Sequence, residues 1–183
     1  DLIVAMGSPA TRAAMDTTTK PIVFFAGDPV GSHFAMSLAK PGGNATGVST
    51  VYTEMMVKDL QFLHELAPRA RRIIVLSNLS NPGSTLTGQQ KLQEAAATLG
   101  VRLVNLSASN AAEIEVAIHR ISRSVGDAVL VGGDLLFLAN RQEIAQAVRK
   151  ARLPAMFPSK QYHEAGVLMS YGTDWDTAMS QVA

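Results

Sequence analysis

Short runs of apolar residues recur along this chain, each followed by a polar turn and then by a segment of helical period. Leu2 to Met6 is the first run, and Ser8-Pro9-Ala10 after it reads as an N-cap with Pro at the first helical position, opening a helix to about Met15. Pro21 to Ala26 is the second run; it ends in Gly27-Asp28-Pro29-Val30-Gly31, and a helix through Met36 and Leu38 is expected next. Pro41-Gly42-Gly43-Asn44 marks a turn, and Ala45 to Thr50 is short and extended. From Thr53 the apolar positions Met55, Met56, Leu60, Leu63 and Leu66 recur at three-to-four spacing, which predicts a helix ended by Pro68.

The same alternation continues downstream. Strands are expected at Arg72 to Ser77, Val101 to Leu106, Asp127 to Val131, Leu153 to Phe157 and Val167 to Tyr171. Helices are expected at Leu86 to Leu99 (closed by Gly100), after a cap at Ser109 or Asn110, and at Asn140 to Ala151, with a helical turn from Tyr162 to Gly166. Strands alternating with helices predict an α/β fold with mostly parallel sheets and right-handed crossovers. The first strand reads as buried, and Trp175 to Ala183 reads as an unfinished helix. The chain is therefore expected to be a piece of a longer protein, with its first lobe incomplete.

Composition narrows the function classes. The 183 residues are 47% apolar, as in an ordinary globular protein. Sixteen basic and fifteen acidic residues are interspersed, giving a net charge of +1 and no basic stripe for a nucleic acid. There is no cysteine, which removes disulfides, Cys-based zinc sites and thiolate nucleophiles. No apolar stretch reaches the ~20 residues of a membrane span. No metal site or cofactor is expected.

The candidate chemistry lies where open α/β sheets bind ligands, beyond the carboxyl ends of the strands and at helix N-termini. Those positions hold Gly7-Ser8-Pro9-Ala10-Thr11, Gly27-Asp28-Pro29-Val30, Asn78 to Ser84, Gly132-Gly133-Asp134 and Pro158-Ser159-Lys160. Hydroxyls and free N–H groups at a helix start suit a carboxylate, while Asp28 or Asp134 suits an ammonium. One of each on facing lobes would hold an amino-acid-like zwitterion. The plainer roles are N-capping for Ser8, Ser80 and Ser84, and a turn start for Asp28. Tyr171 and Trp175 could stack on a ligand, although Trp175 also suits simple packing. Enzyme signatures are missing: there is no Gly-x-Ser-x-Gly elbow, no His-Glu-x-x-His and no phosphate loop ending in Gly-Lys-Ser/Thr. His33, His64, His119 and His163 are scattered, and Asn44-Ala45-Thr46 is a three-residue sequon.

Ordered segments across the whole chain carry a family resemblance. They are Ile3-Val4-Ala5-Met6-Gly7-Ser8-Pro9-Ala10, Pro21-Ile22-Val23-Phe24 with Gly27-Asp28-Pro29-Val30-Gly31, and Lys40-Pro41-Gly42-Gly43-Asn44-Ala45-Thr46-Gly47-Val48-Ser49. Asn81-Pro82, Asp134 with Leu136-Phe137-Leu138, Leu153-Pro154-Ala155 and Glu164 to Gly172 complete them. The sequence resembles the ABC-transporter substrate-binding proteins that include the tryptophan and aromatic amino-acid binders, with a two-lobed type I periplasmic-binding-protein fold. The resemblance implies part of lobe one at 1–49, lobe two at 50–171, and a return towards lobe one at 172–183. It implies a ligand-contacting set of Ser8, Pro9, Ala10, Asp28, Pro29, Val30, Ser49, Asn81, Ser84, Asp134 and Tyr171. It further implies capture of a small polar solute without turnover, delivery to the membrane permease of an ABC importer, and a periplasmic or lipid-anchored extracellular location. Where relatives often carry Trp-Asn-Pro, this chain has Ser77-Asn78-Leu79-Ser80-Asn81-Pro82, so either Asn78 or Asn81 could face the ligand. The alternatives are the sensing domain of a transcription regulator with the same fold, and an α/β hydrolase.

Overall fold

The computed structural model describes residues 1–174 and residue 180. The expected helix from Trp175, and the role weighed for Trp175 itself, lie outside the described residues. The chain divides into two compact units, one of 1–53, 80–89 and 173–183, the other of 54–79 and 90–172.

The first unit holds a three-stranded parallel sheet, β1 (Ile3–Met6), β2 (Ile22–Ala26) and β3 (Ala45–Ser49), in that spatial order. Helix α1 (Ser8–Thr17) packs on β1 and β2. The central strand β2 carries the core, with Ile22, Phe24 and Ala26 buried against Ala5, Phe34 and Ala45. The Phe24 and Phe34 rings lie 6.3 Å apart, and the Arg12 guanidinium covers Phe34. Strand β1 buries only Ala5, while Leu2 before it and Val4 within it are exposed. One expectation fails here. The helix expected through Met36 and Leu38 is absent. Residues 28–38 form successive turns, in which Ser32 donates its N–H to Asp28 O, and Phe34 and Ala35 both donate to Pro29 O. His33 at φ 59° interrupts helical propagation, so Phe34 turns inward while Met36 and Leu38 stay exposed.

The second unit is built on a four-stranded parallel sheet in the order β5-β4-β6-β7, from β4 (Arg72–Ser77), β5 (Arg102–Ser107), β6 (Ala128–Val131) and β7 (Ala155–Met156). Around it run α2 (Tyr52–Leu66), α3 (Leu86–Thr98), α4 (Ala111–Arg120), α5 (Leu135–Ala139) and α6 (Arg141–Ala151); α2 and α3 start in residues of the first unit. Strands β4 and β6 are continuous apolar runs because parallel central strands are covered on both faces. On one face Ile74, Leu76, Val129 and Val131 pack with Ile114, Phe137, Ile144, Val148 and Phe157, all of them buried. Helix α2 buries Met56, Asp59, Leu60 and Leu63, a stripe of helical period with one carboxyl inside it.

Local signals set the ends of these elements. Of the two cap candidates before α4, Asn110 accepts the Glu113 N–H, and the Glu113 carboxylate accepts the Ser109 N–H in return. Gly100 closes the turn after α3 at φ 66°. The 3-10 helix Lys160–Ala165 stands where a helical turn was expected. The strand expected at Val167 to Tyr171 reduces to one parallel bridge between Phe157 and Ser170, and Leu168 there is fully exposed. Helix α5 escapes the sequence pattern because it is a five-residue apolar run directly after Gly132-Gly133-Asp134.

Asp127, just before β6, ties the starts of neighbouring strands together. Its carboxylate accepts the N–H groups of Arg71 and Arg72 at 3.0 and 2.9 Å and the Arg72 guanidinium at 2.7 Å. The Arg72 bond, joined by the backbone donors, lowers its pKa to about 2. A depressed carboxyl pKa adds stability above the unfolded value near 3.8 that is lost as pH falls from about 4 to 2. Because the pair is one-third exposed, Asp127→Asn is expected to cost only about 1 kcal/mol at pH 7. Urea unfolding at pH 7 and at pH 3 measures this, and the difference between variant and parent should fall to about half at the lower pH.

Candidate functional site

In the first unit the carboxyl ends of β1, β2 and β3 are joined by short polar bonds. Ser8 lies inside the first turn of α1, and Gly7 rather than Ser8 occupies the N-cap without any side-chain cap. The capping role expected for Ser8 is thereby corrected: its buried hydroxyl accepts the Gly27 N–H at 3.3 Å and so links the loops after β1 and β2. Pro9 and Ala10 are exposed on the same first turn. Ser49 at the end of β3 donates to Gly27 O at 3.2 Å and accepts the Val51 N–H at 3.2 Å. Ser8 and Ser49 thus converge on Gly27.

Asp28 follows directly. Its Oδ1 accepts the Gly31 N–H at 2.9 Å, which is the turn-starting role, and its Oδ2 accepts the Thr85 hydroxyl at 3.2 Å. Pro29 O receives the two N–H bonds that fold the next turn, and Val30 is exposed beside it.

Residues 80–89 cluster with this unit and bring Asn81, Ser84 and Thr85 to it. Asn81 Oδ1 accepts the Gly83 N–H at 2.9 Å, and Ser32 donates to Pro82 O at 2.7 Å. A Cβ at Gly83 would lie 2.6 Å from Ser8 Oγ, so only glycine allows that approach. Thr85, not Ser84, caps the start of α3 by accepting the Gly88 N–H at 3.1 Å. Thr85 was not expected from the sequence; a Thr one residue before a helical segment was the available signal.

In the second unit the ends of the adjacent strands β4 and β6 carry a second polar group. Asn78 donates through Nδ2 to Asp134 Oδ2 at 3.1 Å, while Asp134 Oδ1 caps α5 by accepting the Leu136 N–H at 2.8 Å. The two asparagines therefore differ: Asn78 pairs with Asp134, and Asn81 shapes the turn at Gly83. Tyr171 meets Phe62 edge to face at 5.0 Å, and the Lys58 ammonium lies 4.7 Å from the centre of the Phe62 ring. One further pair was not expected. Ser170 Oγ lies 2.8 Å from His163 Nε2 on the surface, but the neighbouring Glu164 carboxylate accepts from Arg141 instead. Among the described residues no carboxylate bonds the other nitrogen of this imidazole, which is the third member of a charge-relay triad.

Among the described residues no cluster of His, Asp and Glu suits a metal ion, and no helix is long and apolar enough to cross a membrane.

A curated relative, the tyrosine-binding protein of Clostridioides difficile (strain R20291), is 28% identical over 178 residues, which is 96% of this chain and 50% of the relative. The chain thus spans about half the length of that relative. A conserved domain protein from Vibrio cholerae superposes with a TM-score of 0.88 at 25% identity. An ABC domain from Streptococcus pneumonia, solved in complex with L-Trp, superposes with a TM-score of 0.88 at 23% identity. Each of these two structures covers 100% of this chain, which accounts for 61% of theirs. The type I periplasmic-binding-protein fold is shared. The family model described as ABC transporter substrate binding protein matches residues 1–180, and this chain belongs to that family.

Proposed function

We propose that this protein is the extracytoplasmic solute-binding component of an ABC importer and captures a free amino acid without altering it. In this reading lobe one comprises 1–49, lobe two 50–171, and 172–183 return to lobe one. The observation that carries the reading is the chemistry at the strand ends. Ser8, Asp28 and Ser49 gather at the carboxyl ends of the first sheet, and Asn78 and Asp134 at those of the second. Two carboxylates suit the ammonium group, and the first turn of α1, with hydroxyl and N–H donors beside it, suits the carboxylate. Ser8, Pro9, Ala10, Asp28, Pro29, Val30, Ser49, Asn81, Ser84, Asp134 and Tyr171 form the proposed contact set. Delivery to a membrane permease and a periplasmic or lipid-anchored location belong to the same reading.

Tyrosine and tryptophan are the first solutes to test, because the named relatives bind them. Calorimetry of the full-length protein against aromatic, aliphatic and acidic amino acids should show one-to-one binding of at least one of them. Mass spectrometry of the released ligand should return it unchanged. A chemically altered ligand, or no binding to any amino acid, would sink the reading.

A further inference from the structure

We propose that the second unit has an oxyanion-binding pocket at the amino ends of its strands, built on Arg123 and Arg152. A cavity of about 310 Å³ opens there, lined by Arg123, Gly126, Asp127, Arg152, Leu153 and Pro154. Parallel register brings the strand starts to one end of this sheet: Arg72 pairs with Arg102 across β4 and β5, and Ile73 with Ala128 across β4 and β6. Arg71, Arg72, Arg102, Arg123 and Arg152 consequently share this end with the carboxylate of Asp127.

The charges do not cancel. Asp127 is already held by Arg72 and two backbone N–H groups. Arg123 makes one bond, from Nη2 to Arg152 O at 3.0 Å. The Arg152 guanidinium makes no hydrogen bond or ion pair among the described residues. Helix C-termini are the ordinary partners of such cations, and α2, α3, α4 and α6 all end at this side. Together those four ends supply roughly two negative charges. Five arginines and one carboxylate leave four positive charges, so about two remain uncompensated, around a concave site.

The floor of the pocket is glycine backbone packed directly on the core. A Cβ at Gly126 would lie 2.5 Å from Ile74 Cγ1, so this position stays glycine and the wall there is backbone. Arg152 takes a left-handed conformation at φ 53°, which closes α6 and turns the chain into Leu153-Pro154 along the pocket rim. Guanidinium forks match tetrahedral and planar oxyanions in geometry as well as charge, which favours a phosphate group over a simple halide. That group could be free phosphate or the headgroup of an anionic lipid.

Amide NMR of the chain titrated with inorganic phosphate, against chloride at equal ionic strength, tests the site. Saturable shifts are expected at Gly126, Asp127 and Leu153, weakening at least tenfold in Arg123→Gln/Arg152→Gln. The single variant Arg152→Gln, whose side chain bonds nothing in the fold, guards against a folding effect and should lose most of the affinity on its own. Arg71→Gln, outside the cavity lining, should change binding by less than threefold. Co-sedimentation with phosphatidylglycerol vesicles, against phosphatidylcholine vesicles, separates the two sources. Saturable phosphate binding without retention on vesicles assigns a soluble oxyanion. Retention that disappears in the double variant assigns a lipid headgroup. Failure of both responses, or binding that is unchanged in the double variant, overturns the proposal.

Discussion

Replacing Asp59 by Asn is expected to stabilise the protein at pH 8 by about 2–4 kcal/mol and to leave it nearly unchanged at pH 5. Asp59 lies on the inward stripe of α2 with Met56, Leu60 and Leu63, and its side chain is only 1% exposed. Its Oδ1 has no hydrogen-bond partner. Burial without a compensating charge raises its pKa from 3.8 to about 8. The folded protein therefore keeps a proton that the unfolded chain releases above about pH 4. Stability is full below that value and falls as pH rises towards 8. By pH 7 the difference amounts to on the order of 4 kcal/mol, at about 1.4 kcal/mol per pKa unit. Asn keeps the shape and has no charge to lose, although its amide still needs partners, which trims the gain. Urea unfolding of both proteins at pH 5 and pH 8 decides it. An equal difference at the two pH values would show that Asp59 does not titrate in this window. With Asp127 losing its contribution below pH 4, stability should peak on the acid side of neutrality.

Asp59 also shows where sequence reading stops. The spacing of Met56, Leu60 and Leu63 marks the inward stripe of α2, but a carboxyl beside Lys58 reads as part of the solvent face. Only the burial of the folded helix places it inside. The strands were legible for the opposite reason. Ile73 to Leu76 and Ala128 to Val131 are apolar without alternation, which is what a parallel sheet covered on both faces requires. The turns at 28–38 were read as a helix because positive φ at a histidine leaves no mark in a hydrophobic pattern. The strand read at Val167 to Tyr171 failed because alternating apolar residues fit an edge that here makes a single bridge.

The candidate site was legible to the same depth. Asp28, Asp134 and Ser8 stand out from their places after apolar runs, while Ser49 enters only through the family resemblance. Their partners do not stand out. The bond from Thr85 to Asp28 spans 57 positions and that from Asn78 to Asp134 spans 56, distances over which local patterns are silent. The same limit explains Ser8, whose proximity to Pro9 suggests a cap while its hydroxyl serves the loop after β2.

Asp28→Asn and Asp134→Asn should each weaken amino-acid binding about 10- to 100-fold, with little effect on folding. Loss of a charge-assisted hydrogen bond to a bound ammonium corresponds to about 1.5–3 kcal/mol. Asparagine is the informative substitution because it keeps the helix cap at 134 and the turn at 28. The bond from Asn78 to position 134 has to reverse, with the Asn78 amide turned over so that its oxygen accepts. At position 134 an amide oxygen still accepts the Leu136 N–H, and Asn and Asp cap helices about equally well. At position 28 the amide oxygen still accepts the Gly31 N–H, and the new N–H₂ can donate to the Thr85 oxygen, reversing that bond. Asp134→Ala would instead remove the cap and confound binding with about 1 kcal/mol of lost stability. Calorimetric affinity and thermal midpoint should therefore separate: affinity falls in both Asn variants while the midpoint stays within about 3 °C. Reduced affinity in one variant alone would identify which carboxylate meets the ammonium. Unchanged affinity in both would mean that Asp28 and Asp134 only shape their turns, and the ligand would then have to be held by other groups at the strand ends.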